Sequence, residues 1–257
     1  IPFELSHNLI ILDVIFNGIN LKMIADTGAS KSIVFSLPNE ESIVVKEGNL
    51  VTLVGAGINE KIQGYSSKNN TLHIQDYRDN NFEAIFVFDT DISLVNRLGI
   101  PINGILGSSF FKNYLIEIDY QKKVIRLHKK PFKNLINKFN SSKIEIENDK
   151  PYMFVKSRNK NKEVNYKLLF DTGLSDGMWL FENDSIQCNS NFFYDYLGKG
   201  LSGDIYGKKS RVFEVNFNSY KLNDVLVSYP DPGFFNNVIK ANKRNGYLEG
   251  EIIKRFN

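Results

Sequence analysis

The feature that most constrains the fold of this 257-residue chain is a short motif that occurs twice. The first copy, MIADTGAS, spans residues 23–30, and the second, LLFDTGLS, spans residues 168–175. Each places an apolar stretch before Asp-Thr-Gly and a serine shortly after it. A single Asp-x-Gly is ordinary turn chemistry, because Asp bonds nearby amides and Gly accepts positive φ. The pair becomes informative only if the two copies occupy equivalent places in a larger repeat.

The sequence around the two motifs repeats as well. Before each motif lie two alternating apolar segments, LIILDVIF and INLKMIA around Asn17-Gly18 in the first copy, YMFVKS and VNYKLLF in the second. After each motif come a glycine-spaced stretch, further alternating segments and an Asn-Gly landmark. The landmarks open NGILGSSFFKNY (103–114) and NGYLEGEIIKRF (245–256). Four features in the same order predict a duplicated unit.

The repeat predicts a mainly β protein, because period-2 alternation dominates both copies and helical periodicity is scarce. SSFFKNY is interpreted as one or two helical turns with Ser108 as a candidate cap. The polar stretch at 137–151 predicts a boundary between an N-terminal lobe, 1–140, and a C-terminal lobe, 141–257. The second copy ends without a counterpart of LIEIDYQKKVIRLHKK (115–130), so we expect the C-terminal lobe to be truncated relative to the first.

Composition excludes several classes of function. The net charge of +3 is small and the lysines are scattered, so we expect no nucleic-acid partner. The densest basic run, KSRNKNKEVNYK (156–167), is interpreted as a solvated hairpin loop. No apolar run approaches the roughly 20 residues needed to cross a bilayer, so no membrane-spanning segment is predicted. The three histidines lack ligand spacing and Cys188 lacks a basic motif, so we expect no metal, no cofactor and no cysteine nucleophile.

The duplicated turn predicts a pair of carboxylates. Two equivalent units that face each other about a pseudo-twofold axis would bring Asp26 and Asp171 together. Two carboxylates in contact cannot both ionise easily, so one pKa rises while the other stays low. One carboxylate can then act as a base toward a shared water, while the other protonates a carbonyl under attack.

The neighbouring residues of each turn are predicted to support these carboxylates. Gly28 and Gly173 let the backbone approach them and donate N–H groups without a Cβ in the way. Thr27 and Thr172 can form hydrogen bonds across the pseudo-twofold axis and so fix the two turns against each other.

These residues resemble the pepsin–retropepsin family of aspartic peptidases over nearly the whole chain. The matching pieces are the apolar-Asp-Thr-Gly-Ala-Ser turn at 26–30, GILGSSFF with its echo, and the glycine-rich stretches between them. The short units and DTGA are more similar to the retropepsin type, here with both halves in one chain, as in bilobal bacterial retropepsin-like proteins. The resemblance implies two similar β lobes with a cleft between them, a peptide or protein substrate, and a monomer.

The resemblance also implies that the glycine-rich hairpins are flaps that close over the substrate. The predicted flap and substrate-binding residues are Gly55, Ala56 and Gly57 in the first copy and Gly198, Lys199 and Gly200 in the second. Glycines lower local order and let a hairpin tip hinge. Simple tight turns in a β meander remain an alternative interpretation of both hairpins.

One position departs from the repeat, because Glu249 stands where the first copy has Gly107. A side chain and a charge at this place put the support of the Asp171 turn in question. Trp179 and the aromatic run FFYDY (192–196) are consistent with burial in the lobe core, and a substrate pocket is the alternative.

Two functions are compatible with the sequence. The first is an aspartic endopeptidase, and the second is a non-catalytic module that binds a peptide or protein on the same fold. The intact pair of Asp-Thr-Gly turns favours the enzyme.

Overall fold

The structure, a computed structural model, describes residues 1–37, 45–46, 48–54, 61–88, 98–130, 137, 139–159, 162–200, 203–235 and 244–256. The fold is mainly β, as predicted, with two similar lobes. Among the described residues, no helix is long and apolar enough to cross a membrane.

The first lobe is built on an eight-stranded sheet. Its strands are β1 (Glu4–Ser6), β2 (Leu9–Phe16), β3 (Ile19–Ala25), β4 (Ile33–Val34), β5 (Asn49–Val54), β6 (Lys61–Ile74), β7 (Tyr77–Phe86) and β8 (Gly104–Leu106). They lie in the order β1-β2-β3-β8-β4-β7-β6-β5, and a further pairing between β2 and β6 closes the sheet on itself. After β8 come a short helix, α1 (Ser108–Phe111), and a two-stranded sheet of β9 (Leu115–Asp119) and β10 (Val124–His128).

The second lobe repeats this topology strand for strand. Its strands are β11 (Ile144–Glu147), β12 (Lys150–Asn159), β13 (Lys162–Phe170), β14 (Met178–Leu180), β15 (Phe192–Gly200), β16 (Gly203–Phe217), β17 (Tyr220–Pro230) and β18 (Gly246–Leu248). The order β11-β12-β13-β18-β14-β17-β16-β15, closed by β12 against β16, matches that of the first lobe. A second short helix, α2 (Gly250–Ile253), follows β18 as α1 follows β8. The predicted duplication is therefore a duplication of the fold, while the boundary at 140/141 stays a prediction.

The alternating segments form strands because one face of each packs into the core. In β2, Leu12, Val14 and Phe16 are almost fully buried, whereas the intervening Asp13 and Ile15 are exposed. The turn from β2 to β3 is the predicted Asn-Gly hairpin. Asn17 and Gly18 both have positive φ, 48° and 86°, as a two-residue hairpin turn of this kind requires.

The predicted solvated loop at 156–167 is wrong, because most of this run is strand. Lys156 pairs with Asn165 across the β12–β13 hairpin, and its ammonium lies 3.4 Å from the Glu163 carboxylate. Ser157 is buried and donates a hydrogen bond to the Glu214 carbonyl of β16. The polar composition reflects the exposed face of a long hairpin.

The predicted cap of the first short helix is also wrong. Gly107 occupies the N-cap position of α1, and no side chain caps the helix. Ser108 is the first helical residue, and its hydroxyl donates to the Ser30 carbonyl at 2.8 Å. Ser108 therefore ties the helix to the residues that follow the first Asp-Thr-Gly turn.

The aromatic prediction holds for Trp179 alone. The Trp179 side chain is 2% exposed and lies in an aromatic cluster with Phe181, Phe235 and Tyr247. In contrast, the aromatic residues of the 192–196 run are substantially exposed. They lie on β15, which is the edge strand of its sheet, so alternation there does not bury either face.

Candidate active site

The two Asp-Thr-Gly turns begin at the ends of equivalent strands. Asp26 follows β3, and its amide donates to the Leu106 carbonyl of β8 at 2.9 Å. Asp171 follows β13, and its amide donates to the Leu248 carbonyl of β18 at the same distance. In each lobe a short strand, β8 or β18, runs parallel to the strand that carries the acid and so fixes where the turn begins.

The two carboxyl groups face each other at the junction of the lobes, close enough to share a proton. Asp26 Oδ1 accepts hydrogen bonds from the amides of Gly28 and Ala29, at 2.7 and 3.0 Å. Asp171 Oδ1 accepts one from the Gly173 amide at 2.8 Å. The duplicated motif predicted that these residues meet, and the structure has them in contact.

The glycine of each Asp-Thr-Gly turn lies directly against the carboxylate of the opposite turn. A Cβ on Gly28 would lie within 2.8 Å of both Asp171 carboxylate oxygens. A Cβ on Gly173 would overlap the Asp26 carboxylate in the same way. Glycine is therefore required here by close approach of the two turns.

The two threonines join the lobes through reciprocal hydrogen bonds. The Thr27 hydroxyl donates to the Phe170 carbonyl at 2.6 Å, and the Thr172 hydroxyl donates to the Ala25 carbonyl at 2.7 Å. Each hydroxyl also accepts the backbone N–H of the other threonine, at 3.1 and 3.2 Å. The side chains thus turn toward the opposite lobe, and they set the separation of the two aspartates.

Burial and mutual repulsion shift the titration of the pair upward. Burial is the main cause that raises the pKa of Asp26 well above its usual value, and the adjacent Asp171 carboxylate adds to it. Burial also raises the pKa of Asp171, but hydrogen bonds from Gly173 and Asp26 act in the opposite direction. The pair therefore holds a proton to higher pH than an exposed carboxyl would.

Two cationic side chains near the pair were not predicted from the sequence. Arg244 is 4% exposed, and its charge, like that of Lys150, lowers the pKa of Asp171. Burial lowers the pKa of the Lys150 amine, and the neighbouring Arg244 charge lowers it further. One signal was available in the sequence, since Arg244 precedes the second Asn-Gly landmark where the first copy has Ile102.

The second predicted flap lies within the described part of the chain. Gly198, Lys199 and Gly200 lie at the end of β15 and, with Gly173 of the second Asp-Thr-Gly turn, line a cavity of about 80 Å³ between the lobes. The flap residues of the first copy, Gly55, Ala56 and Gly57, lie outside the described residues.

The departure at Glu249 does not disturb the bracing of the Asp171 turn. In the first lobe the Ser108 amide donates to the Ala29 carbonyl at 2.9 Å. In the second lobe the Gly250 amide donates to the Leu174 carbonyl at 3.0 Å. The equivalent backbone hydrogen bond is present in both lobes, so the Glu249 side chain does not displace the residues that support the Asp171 turn.

Within the described ranges, no group of three or more His, Cys, Asp or Glu side chains is arranged to hold a metal ion. The Cys188 thiol is partly buried, which raises its pKa. The protonated form of a thiol is a poor nucleophile.

Comparison with known proteins gives one family match, over the N-terminal part of the chain. Residues 12–110 match a family described as aspartyl protease. No curated protein shows significant similarity to the chain. The family match indicates a hydrolase of the aspartic type that acts on peptides in general. The segment that carries the first Asp-Thr-Gly turn therefore matches a retropepsin-like aspartyl protease family.

Proposed function

We propose that the chain is an aspartic endopeptidase in which Asp26 and Asp171 activate one water for attack on a peptide bond. The observation that carries the proposal is the mutual contact of the buried Asp171 carboxyl and the partly buried Asp26 carboxyl at the junction of two equivalent lobes. A pair that shares one proton supplies an acid and a base at the same point.

The unequal surroundings of the two carboxyls support an assignment of the proton. Asp26 has the more strongly raised pKa, because burial and the Asp171 carboxylate both disfavour its charged form. Arg244 and Lys150 stabilise negative charge on Asp171. In the resting pair, Asp26 holds the proton and Asp171 is ionised.

The reaction then proceeds without a covalent intermediate. Asp171 accepts a proton from the water as the water oxygen bonds to the substrate carbonyl carbon, and Asp26 donates its proton to the carbonyl oxygen. The tetrahedral intermediate collapses when the C–N bond breaks, and the departing nitrogen takes up the proton that Asp171 accepted. One of the two hydroxyl groups of the intermediate gives its proton to Asp26 as the C–N bond breaks, so the carboxyl pair regains its starting state.

The cleft between the lobes supports an extended peptide as the substrate. The hairpin tip, Gly198, Lys199 and Gly200, lines the same cavity as Gly173 of the second Asp-Thr-Gly turn, and we propose that this tip is a flap. A closed flap excludes bulk water and strengthens the electrostatic effect of the carboxyl pair.

The test is digestion of a diverse peptide library across pH, with and without a statine-type inhibitor. Asp26→Asn and Asp171→Asn should each reduce turnover by about 10³-fold or more, because the two carboxyls act as a unit. Asp224→Asn is the matched control, since that carboxylate is 73% exposed and pairs with Arg211 at the surface. It should retain wild-type turnover.

The alternative, a non-catalytic binding module, predicts a different result. In that case the wild-type chain binds library peptides without cleaving them at any pH. Substantial turnover in either Asp→Asn variant would also contradict the proposed pairing.

A further inference from the structure

Glu249 is a buried acid that the proposed reaction does not use. The residue is 0% exposed, and neither carboxyl oxygen makes a hydrogen bond of normal geometry within the described part of the chain, although the Asp176 amide lies close by. Burial raises the pKa of Glu249 well above its usual value, and the Asp176 and Asp171 carboxylates raise it further. The nearby Asp176 amide and Lys209 act in the opposite direction without reversing the shift. A buried polar group without a partner is costly, so its presence calls for a ligand.

The equivalent position of the first lobe cannot hold a side chain. A Cβ on Gly107 would lie 2.6 Å from the Lys31 carbonyl oxygen and 2.7 Å from that of Ala29. The second lobe differs at both of these places, with Glu249 for Gly107 and Asp176 for Lys31. The acidic character is therefore confined to one side of the carboxyl pair.

Glu249 lies in the wall of the cavity between the lobes. Leu9, Ile24 and Leu98 of the first lobe form one side of this cavity. The other side is formed by the second lobe, including Leu174, Asp176 and the hairpin tip. Gly173 of the catalytic turn also lines it, so an occupant of the cavity lies beside the reacting bond.

We propose that this cavity is a substrate subsite that selects a lysine or arginine side chain, with Glu249 as the group that pairs with its charge. The inference rests on the proposed peptidase function and deepens it. Because the cavity touches the second Asp-Thr-Gly turn and not the first, the selection applies to one position on one side of the cleaved bond.

The carboxylates around Glu249 favour a cation over a neutral hydrogen-bonding side chain, while Lys199 of the hairpin tip, which also lines the cavity, acts against it. Asp176 lies close enough to Glu249 to raise its pKa, as does Asp171 of the catalytic pair. Lys209 offsets part of this charge, since its ammonium lies 3.8 Å from Asp176 and 3.3 Å from Asp195. Oδ2 of Asp176 already accepts hydrogen bonds from the Trp179 indole N–H and the Ser228 hydroxyl, whereas among the described residues neither oxygen of Glu249 accepts one of normal geometry. Glu249 is the acid left to receive an incoming charge.

The shape of the cavity fits the stem of a basic side chain. Its volume of about 80 Å³ suits one side chain rather than a separate ligand. The aliphatic walls match the methylene groups of lysine or arginine, whose charged end extends beyond them. On binding, Glu249 releases its proton to solvent and the carboxylate pairs with the cation.

The test is a peptide series in which each position in turn carries lysine, arginine, norleucine or glutamine. Norleucine matches the lysine stem without its charge. At one position, kcat/KM should be about 30-fold or more higher for lysine than for norleucine. Glu249→Gln should remove this preference. Glu251→Gln is the matched control, because it removes a nearby carboxylate that pairs with Lys254 and Arg255 instead, and it should retain the preference.

A binding measurement separates this inference from the proposed function. Calorimetry of Asp26→Asn protein with the same peptides, in buffers of different ionisation enthalpy, should show proton release for lysine and none for norleucine. If peptides bind with this preference but the wild-type chain does not cleave them, the peptidase proposal fails and the subsite stands. Equal preference for norleucine and lysine, or a lysine preference that survives Glu249→Gln, overturns the subsite.

Discussion

At the scale of single residues, the separation of the two acids depends on two threonine hydroxyls. Each hydroxyl donates to a carbonyl of the other lobe and accepts an N–H from the other threonine. Glycines on the same turns lie against the opposing carboxylates, where no Cβ fits. Small changes at these positions therefore act on the geometry of both acids at once.

Thr172→Val should destabilise the fold by about 2–4 kcal/mol, because it leaves the Ala25 carbonyl and the Thr27 amide without partners at a buried site. Chemical denaturation measures the loss. Thr172→Ser keeps the hydroxyl and should lose about 1 kcal/mol from the missing methyl group. If the valine variant were no less stable than the serine variant, the hydroxyl bonds would not be holding the lobes.

Glu249 should make the fold less stable as pH rises. Its pKa is higher in the folded state than its ordinary value of 4.5, so the folded chain binds more protons than the unfolded chain above that pH. The stability contribution is complete below 4.5 and is lost as pH rises toward the folded pKa. Glu249→Gln should therefore match the wild type at about pH 4 and be the more stable protein near neutrality.

Near neutral pH, Glu251→Gln should lower the free energy of unfolding, whereas Glu249→Gln should raise it, in the same denaturation series. Burial raises the pKa of Glu251, but hydrogen bonds from Lys254 and Arg255 outweigh it, so the net shift is downward. This carboxylate stabilises the fold above its unfolded pKa, and its loss should weaken the variant near neutrality. The same sign for both variants would exclude a buried neutral acid at 249.

At the scale of elements, the position of each Asp-Thr-Gly turn depends on the short strand that pairs with the acid-bearing strand. β18 lies between β13 and β14, parallel to one and antiparallel to the other, and its Leu248 carbonyl holds the Asp171 amide. Gly246 begins this strand, and a Cβ there would overlap the Trp179 carbonyl of β14. The strand can therefore occupy the gap only with glycine at this position.

Gly246→Ala should cost about 3 kcal/mol or prevent folding, because the Trp179 backbone must move away from the added methyl group. Thermal or chemical denaturation measures this effect. Gly177→Ala is the control, since its added Cβ would meet nothing closer than 3.5 Å. Similar stabilities for the two variants would show that the Trp179 backbone of β14 can move at little cost and that Gly246 is not required for the packing of β18 against β14.

The tip of the β15–β16 hairpin should be the most mobile part of the cleft rim that the structure describes. Its pairing shifts register between Tyr196 and Gly198, and glycines occupy both sides of the tip. Amide hydrogen exchange at Lys199 and Gly200 should be faster than in β13, and a statine-type inhibitor should slow it. The Asn17-Gly18 turn lies in another hairpin and should not respond to the inhibitor, and protection of the tip without ligand would argue against a flap.

At the scale of the whole molecule, the pH dependence of activity depends on how both lobes enclose the carboxyl pair. Backbone amides bond both carboxylates, whereas among the described residues the hydroxyls of Ser30 and Ser175 are not bonded to them. Burial raises both pKa values, so the singly protonated pair persists to higher pH. We expect a mildly acidic optimum, around pH 5–6, in the pH–rate profile. A maximum at about pH 2–3 would contradict the upward shift of the pair.

Much of the fold followed from sequence pattern, because alternation and turn residues are local signals. The Asn17-Gly18 hairpin and the succession of strand segments along the chain before and after each Asp-Thr-Gly turn were predictable in this way. Local signals failed where the burial of a strand could not be judged from the polarity of its residues. The polar run at 156–167 extends a hairpin, and the aromatic run at 192–196 lies exposed on an edge strand.

The sequence by itself determined that two equivalent turns exist and predicted that their acids meet, because two equivalent units about a pseudo-twofold axis place matching residues opposite each other. Only the tertiary structure decided what surrounds the pair. Arg244, Lys150 and Glu249 approach the acids from separate elements of the fold, and their effects depend on burial and on distances of a few ångströms. Charge interactions of this kind have no periodicity along the chain, so they become visible only when the lobes are assembled.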